Sequence, residues 1–553
     1  MAAVTQKLST GERPRGPATA VLVLTLLALA VGIWARFSNV THKIYYQDEA
    51  VTSVRTAGYR LADVYTLFDG RVHPFGDLQR LLRPAPGRGV RATVASLARE
   101  DPQHPPLYYA LQAAWMRAIG SDPVRMRVLP VLLSLLALPL GFLCARELFA
   151  SRTSALVMTA LLAVSPFQVL YSYQTREYGL LTATILAASL ALLVALRRAD
   201  SARSWIAYAL AVTVGLYTYL LFAYVVVAHV AYVLLLERFR FSRSVRRFAL
   251  ASAAGVLLAA PWFAIAYAHR ATMSADLDWA QSSYPLAFMV SKWAFFSSAT
   301  FFDLAYANVR FAPLGLAVVL FALYAVIRTV RQASPRVALF VLTLVATTAV
   351  FLVAQDLAFH ERFSTIARYL TPTWLGLDFA VAYTVGGALD GARSARTQRA
   401  WLATFLAFVA LGASSDAINS RASSWWENSG NRPLPAMAAV LGRTPQALVV
   451  VQNEYAPVLS LAFLVNGELR LQGFIGRRLP PIDSSGAGPI YLFSPTGDLR
   501  ERLLREQHLV ARRVYDSRDE ALAVRQFRSA VASSKKTPVG AWGEGSLWIA
   551  TSR

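Results

Sequence analysis

The chain has 553 residues, 56% of them hydrophobic and only 16% charged, a balance well outside that of soluble globular proteins. It reads as a polytopic membrane protein. The formal net charge of +23 would point to nucleic acid in a soluble chain, yet much of the excess lies in short segments between apolar runs, as RRADSAR, RFRFSRSVRR, RTVRQASPR and GARSARTQR; that is the positive-inside pattern, and no nucleic-acid partner is expected.

In chain order, Lys7, Arg13 and Arg15 precede an uncharged run over 16–35. The run is too long for a signal-peptide core and no small-residue cleavage site follows it, so it is expected to remain as a first helix behind a cytoplasmic tail at 1–17. A long external loop follows at 37–127. Within it LYYALQAAWMRAIG (107–120) is short and interrupted by Arg117, and a crossing there would put the basic RRADSAR on the wrong side. It is expected to lie at the membrane surface. Apolar runs at about 128–145, 153–175, 178–196, 248–268, 311–327, 337–355, 369–389 and 400–415 each suffice to cross a hydrocarbon layer of about 30 Å. The one cysteine, Cys144, sits inside the first of these, so no intrachain disulfide is possible. Residues 204–236 carry no Asp, Glu, Lys or Arg but have basic residues at both ends, which makes them a hairpin of two helices.

The sum is about eleven crossings, a mostly α bundle over 18–416. From 417 to 553 the pattern changes. ALVVVQNEY, GELRLQGF and PIYLFSP read as strands and LREQHLVARRVY as helix then strand, predicting a small extracytoplasmic α/β domain. Its 17 Lys or Arg against 11 Asp or Glu suit anionic membrane lipids.

With that topology three segments meet on the non-cytoplasmic face: QDEA (47–50) with EDPQHPPLYY (100–109), YSYQTREYG (171–179) and QDLAFHERFSTIARYL (355–370). Each has an ordinary explanation. Asp48 and Glu49 would serve as the polar start of a surface helix, His104-Pro105-Pro106 as a rigid helix entry, and Arg176 and Arg368 as lipid-facing side chains. Ionisable groups at the hydrocarbon edge are costly unless paired or used, and their convergence on one face favours a site.

The order of DE in the first external loop, then HPPLYY, SPFQVLYSYQTREYGL and ARYLTP, resembles the GT-C superfamily of integral-membrane glycosyltransferases over about residues 18–390. Within it the likeness is to family 39, related to the protein O-mannosyltransferases and the lipid A aminoarabinose transferases. The resemblance implies a transferase moving a hexosyl or pentosyl group from a polyprenyl-phosphate sugar donor to an acceptor hydroxyl of a protein, lipid or glycan, with inversion. It implies a catalytic acid at Asp48, with Glu49 beside it, facing outward from a bacterial inner (plasma) membrane.

Such a reaction needs one base for the acceptor's proton, because the phosphate leaves as an anion without a general acid. Arg176 and Arg368 are the natural ligands of the donor phosphate, since a guanidinium stays charged and offers a fork to phosphate oxygens. Adjacent side chains point to opposite faces of a strand and diverge by about 100° on a helix, so one acid faces substrate while the other supports it. Asp48 is favoured for the chemistry and Glu49 for a bond to Arg176 or a backbone amide, with the reverse assignment open. The second acidic motif comprises Glu100, Asp101 and His104. The mannosyltransferases carry an acid two residues before this histidine, where the present chain has Pro102, so which of Glu100 and Asp101 reaches the site is open.

Tyr108, Tyr173, Tyr178, His360 and Arg362 are candidates to line the substrate. Asp48, Asp101 and His104 offer donors for a divalent metal, but no compact ligand motif appears, and no cofactor is assigned. Asp378, inside an apolar run, is read as a structural pairing. The alternative is a transporter or flippase of lipid-linked sugars, which would carry its acids near mid-membrane between repeated, Gly/Pro-broken halves; no such halves are visible.

Overall fold

The computed structural model describes residues 17–486, 488–516 and 545–552. The tail expected at 1–17 lies outside them save for Pro17. Among the described residues seven helices are long and apolar enough to cross a membrane: Ala18–His42, Pro123–Phe149, Tyr178–Arg197, Arg243–Ala268, Val309–Gln332, Pro335–Phe359 and Ala395–Asn419. The pair Arg152–Ala163 and Pro166–Ser172, bent by 54°, makes an eighth if taken as one span. Its bend follows from Ser165-Pro166: the proline has no N–H for the helical ladder, and the Ser165 hydroxyl accepts from the Gln168 amide at 3.3 Å to start the second piece.

Ala202–Thr218, Leu220–Leu236 and Thr371–Asp390 stand at the other expected places but are shorter or more polar. Length and apolarity alone thus give seven or eight spans where the sequence reading expects about eleven. The chain is an integral membrane protein.

Between the first two long helices the chain forms the helices Gln47–Ala57 and Leu61–Tyr65, a strand β1 (Asp69–Pro74), and the helices Phe75–Arg80, Val90–Glu100 and Pro106–Ile119. The last is 14 residues long, too short to span. It packs against Val90–Glu100 and Gln47–Ala57, burying Tyr108, Tyr109, Gln112, Ala113 and Met116. Pro106 at its first turn costs no hydrogen bond there, and Gly120, at φ 129°, ends it.

Strand β1 joins β2 (Leu448–Gln452), β3 (Arg470–Phe474), β4 (Ile490–Phe493), β5 (Leu509–Asp516) and β6 (Ser546–Ser552) in one sheet of order β1-β3-β2-β4-β6-β5. β2 runs parallel to both neighbours and reads LVVVQ, the continuous apolar run of a strand covered on both faces. Val449 and Val451 point to one face and pack with Tyr45, Val54, Phe68 and Phe75 of the first loop. Leu448 and Val450 point to the other, against Leu499 and Leu503 of the helix Gly497–Gln507. β1 pairs antiparallel with β3, Val72 opposite Gln472 and His73 opposite Leu471. The Gln472 amide nitrogen secures the pairing by donating to the carbonyls of Gly70 at 2.8 Å and Pro481 at 2.7 Å. The sheet expected within 417–553 therefore shares a strand and one face of its core with the first loop.

This shared core yields a test. A Cβ on Gly473 would stand 2.6 Å from the Phe68 ring, so Gly473→Val should cost about 1–3 kcal/mol by overpacking. The substitution should also raise the rate of tryptic cleavage after Arg88, in the loop, although the change lies in the sheet. An unchanged cleavage rate would show that loop and sheet fold independently.

Candidate active site

The helix Gln47–Ala57 opens the site. Glu49 is fully buried and held on both oxygens. Arg127 meets it in a fork, Nε to Oε1 at 2.8 Å and Nη2 to Oε2 at 2.6 Å. The backbone amides of Thr175 and Tyr46 donate to the same two oxygens, each at 2.9 Å. Arg127 spends its remaining N–H groups on the carbonyls of Val40, Lys43 and Ile44, where the first helix ends. Glu49 is thus a structural strut whose cation is Arg127 rather than Arg176.

Asp48, one residue earlier, points away from this knot. Among the described residues nothing hydrogen-bonds its carboxylate, and its single ionic neighbour is Arg368, Nη2 to Oδ2 at 3.9 Å, with both side chains partly exposed. Arg368 sits on the short 3₁₀ turn Ala367–Leu370. The 3₁₀ turn just before it, Phe363–Thr365, is held by buried Asp356, whose two oxygens accept from the Phe363 and Ser364 amides at 2.7 Å each.

Arg176 lies in the bend between the helices Pro166–Ser172 and Tyr178–Arg197. Its Nη1 donates to the Thr52 hydroxyl at 3.3 Å, and that hydroxyl donates to the Asp48 carbonyl at 2.8 Å. Its Nη2 stands 3.0 Å from His104 Nε2, and Glu177 faces both groups, with Oε1 2.9 Å from His104 Nδ1 and Oε2 3.5 Å from Arg176 Nε. Burial alone would push the Glu177 carboxyl up, but Arg176 and His104 overcome it and hold the group down at about 2.

Arg176 and Arg368 flank the ring of Tyr178, at 5.8 and 5.6 Å from its centroid. Asp48, His104, Arg176, Arg368 and Tyr178 therefore share one region at the end of the bundle that carries the first loop.

The other expected residues divide. Asp101 pairs with Arg55 at 3.2 Å and lies 3.8 Å from His104, next to the site. Glu100 faces away, accepting from the Leu61 amide at 2.8 Å and meeting Arg55 at 3.5 Å. Tyr108 is fully buried with its hydroxyl on Gln112 at 3.1 Å, and Tyr173 donates to Glu427 at 2.9 Å beneath Arg127. Arg362 packs over Trp279 and Tyr284 and bonds the Tyr284 hydroxyl at 2.8 Å, while His360 caps its helix, exposed, at φ 58°. Asp378 is fully enclosed, and among the described residues neither of its oxygens has a hydrogen-bond partner, so no pairing is formed there with any of them.

Among the described residues no three His, Cys, Asp or Glu side chains are disposed to hold a metal ion. Sequence reasoning missed Arg127 and Glu177. Glu177 lay inside the TREYG segment already singled out, and Arg127 was visible as a charge at the loop end just before an apolar run.

Residues 103–265 match the family model of the dolichyl-phosphate-mannose-protein mannosyltransferases, a segment that contains His104, Arg176 and Tyr178 but neither Asp48 nor Arg368. No curated protein matches the chain. Solved structures with similar folds include the apo form of ArnT from Cupriavidus metallidurans, at 12% identity, TM-score 0.48, covering 95% of this chain and 97% of that one. The same protein bound to undecaprenyl phosphate gives 12% identity, TM-score 0.47 and coverage of 96% and 97%. An Archaeoglobus fulgidus oligosaccharyltransferase tethered to an acceptor peptide gives 11%, TM-score 0.43 and coverage of 82% and 64%.

The two acids should separate in stability measurements. Glu49→Gln or Arg127→Leu, each leaving a buried charge without its partner, should cost about 3–5 kcal/mol, whereas Asp48→Asn should change stability by no more than about 0.5 kcal/mol. Glu177 adds a pH signature. Its carboxyl sits at about 2 in the folded chain against an ordinary 4.5, so it contributes up to about 3 kcal/mol above the ordinary value, lost as pH falls from about 4.5 toward 2. The unfolding midpoint of detergent-solubilised protein should accordingly fall less steeply with acid in Glu177→Gln than in the wild type.

Proposed function

We propose that the chain transfers a sugar from a polyprenyl-phosphate carrier to an acceptor hydroxyl. The observation that carries this reading is the Asp48 carboxylate: partly exposed, free of internal hydrogen bonds, and facing an arginine at 3.9 Å. The neighbouring Glu49 carboxylate is saturated within the fold; the Asp48 carboxylate, left open beside a cation, suits proton transfer next to an anionic leaving group. The family match over 103–265 supports the same class of chemistry.

In this mechanism Asp48 accepts the proton of the acceptor hydroxyl as its oxygen attacks the anomeric carbon. The bond from that carbon to the phosphate oxygen breaks with inversion, and the electron pair leaves with the phosphate. Arg368 faces the phosphate directly. Arg176, held by Glu177 and His104, supplies a second positive centre across the Tyr178 ring. The proton on Asp48 then passes to water.

The basic segments between helices favour the opposite end of the bundle as cytoplasmic, so the site would face outward, and a bacterial inner membrane is the setting proposed. The segment 417–553, with β1, would form an extracytoplasmic domain over it. The acceptor stays a protein, lipid or glycan hydroxyl.

The test is transfer from radiolabelled polyprenyl-phosphoryl sugars into a membrane extract by purified protein. Asp48→Asn should lower turnover by about 10²–10⁴-fold with donor affinity little changed, because a carboxylate does not attract an anionic phosphate. Arg176→Ala and Arg368→Ala should lower both turnover and donor affinity. Near-wild-type transfer by Asp48→Asn, with abolition by Asp101→Asn, would reassign the base; retention by both would refute the mechanism.

A further inference from the structure

Beyond the last long helix the chain turns back across the site through residues 420–428, a segment in which sequence reasoning placed no function. It is anchored at both ends of the turn. The Lys43 ammonium bonds the carbonyls of Asn419 at 2.5 Å and Ala422 at 2.8 Å, and the indole N–H groups of Trp425 and Trp426 both donate to Asp303 Oδ2, at 2.6 and 3.2 Å.

Glu427 follows. Among the described residues one of its oxygens accepts from the Tyr173 hydroxyl at 2.9 Å, while Oε2 is enclosed with no hydrogen-bond partner. The Lys43 ammonium acts on the carboxyl from beyond ion-pair distance. Burial pushes this carboxyl up to about 7 against the opposing pull of the ammonium. Leaving its Oε2 desolvated and unpaired is costly, so that oxygen needs another partner.

The surroundings say what that partner is. From the phosphate-facing Arg368 an unbroken aromatic wall leads to this carboxyl: Arg368 over Tyr178 at 5.6 Å, Tyr178 against Tyr171 at 5.3 Å, and Tyr171 against the half-buried Trp426 at 5.9 Å. Among the described residues nothing hydrogen-bonds the side-chain hydroxyls of Tyr171 or Tyr178, nor that of Tyr46, which lies near enough to feel Asp48, Arg368 and Glu427 together. The half-buried Trp426 ring and the unpaired Glu427 oxygen complement a sugar ring, which presents an apolar C–H face and several O–H donors, while buried Tyr171 and Tyr178, meeting edge to face, connect Trp426 to Arg368.

We propose that Trp426 and Glu427 form the subsite for the sugar ring of the lipid-linked donor, Trp426 offering its face and Glu427 Oε2 accepting a ring hydroxyl. The inference rests on the transfer reaction proposed above. It assigns the ring to the donor because the wall is continuous with the arginine that faces the donor's phosphate. Sugar selectivity is then set by the segment that links the last long helix to the sheet.

The experiment is equilibrium binding, to the full-length protein in detergent, of four radiolabelled lipids: a bare polyprenyl phosphate and its phosphoryl-mannose, phosphoryl-glucose and phosphoryl-arabinose forms. The wild type should bind at least one loaded carrier about tenfold or more tightly than the bare one, the worth of a charge-assisted hydrogen bond. Glu427→Gln, which keeps an acceptor for Tyr173, and Trp426→Phe should each shrink that margin while leaving the bare carrier's affinity within about twofold. A margin unchanged in both variants, or an equal loss for bare and loaded carriers, would overturn the subsite. A wild type that binds none of the four lipids would overturn the transferase reading itself, and the subsite with it.

Discussion

The buried pair of Glu49 and Arg127 sets the geometry on which the rest of the site depends. Four parts of the chain meet in it: the carbonyls closing the first helix, the loop helix Gln47–Ala57, the start of Pro123–Phe149, and the bend at Thr175. Every N–H of Arg127 is used, and Glu49 accepts from two amides besides. Desolvating two charges costs several kcal/mol each, and only such saturation lets their attraction offset it. The result for the neighbouring residue is directional. With Glu49 locked inward, the helical turn of about 100° per residue leaves Asp48 no choice but to face the cleft.

The cations are arranged on the same logic of constraint against freedom. Arg176 is nearly enclosed and its charge is met by Glu177, whereas Arg368 is more open and meets Asp48 only at 3.9 Å. Placing the ring of Tyr178 between the two guanidiniums keeps like charges apart while both gain from its face. Arg176 thus stands against His104, and Arg368 is the more exposed cation, the one the proposed mechanism turns toward the donor phosphate. An anion bound there would compete with Asp48 for Arg368, and on the proposed mechanism this would free the carboxylate to act as the base.

Much of this was legible in the sequence because membrane chemistry writes itself in composition. Apolar runs placed the long helices, basic segments ordered them, and the three polar segments supplied Asp48, His104, Arg176 and Arg368 together. What was not legible depends on contacts remote in sequence. Nothing in LYYALQAAWM says that Tyr108 is packed beneath Val90–Glu100 and its relatives while Tyr178, seventy residues on, stands between two arginines. Arg127 marked the end of a loop in the sequence reading, since its partner lies 78 residues away. Length and apolarity alone leave out Thr371–Asp390, which is buried among other helices, and a buried helix does not need the uniform apolarity of a lipid-facing one.

The pairing of β1 with β3 was the least visible feature, and it explains how so long a loop can hold a site. Tying residues 69–74 to 470–474 closes a very long stretch of chain, but loop-closure entropy grows only logarithmically with length, so a few strand bonds and a shared apolar face suffice. Val449 and Val451 on one side and Tyr45, Val54 and Phe75 on the other then belong to one core. Tyr45 precedes Asp48 by three residues, and its carbonyl accepts from buried Asn431 at 3.1 Å. The position of Asp48 is therefore set from below by the ion pair in the bundle and from above by the sheet. A substitution in either body that shifts the helix Gln47–Ala57 would reach Asp48 without touching it.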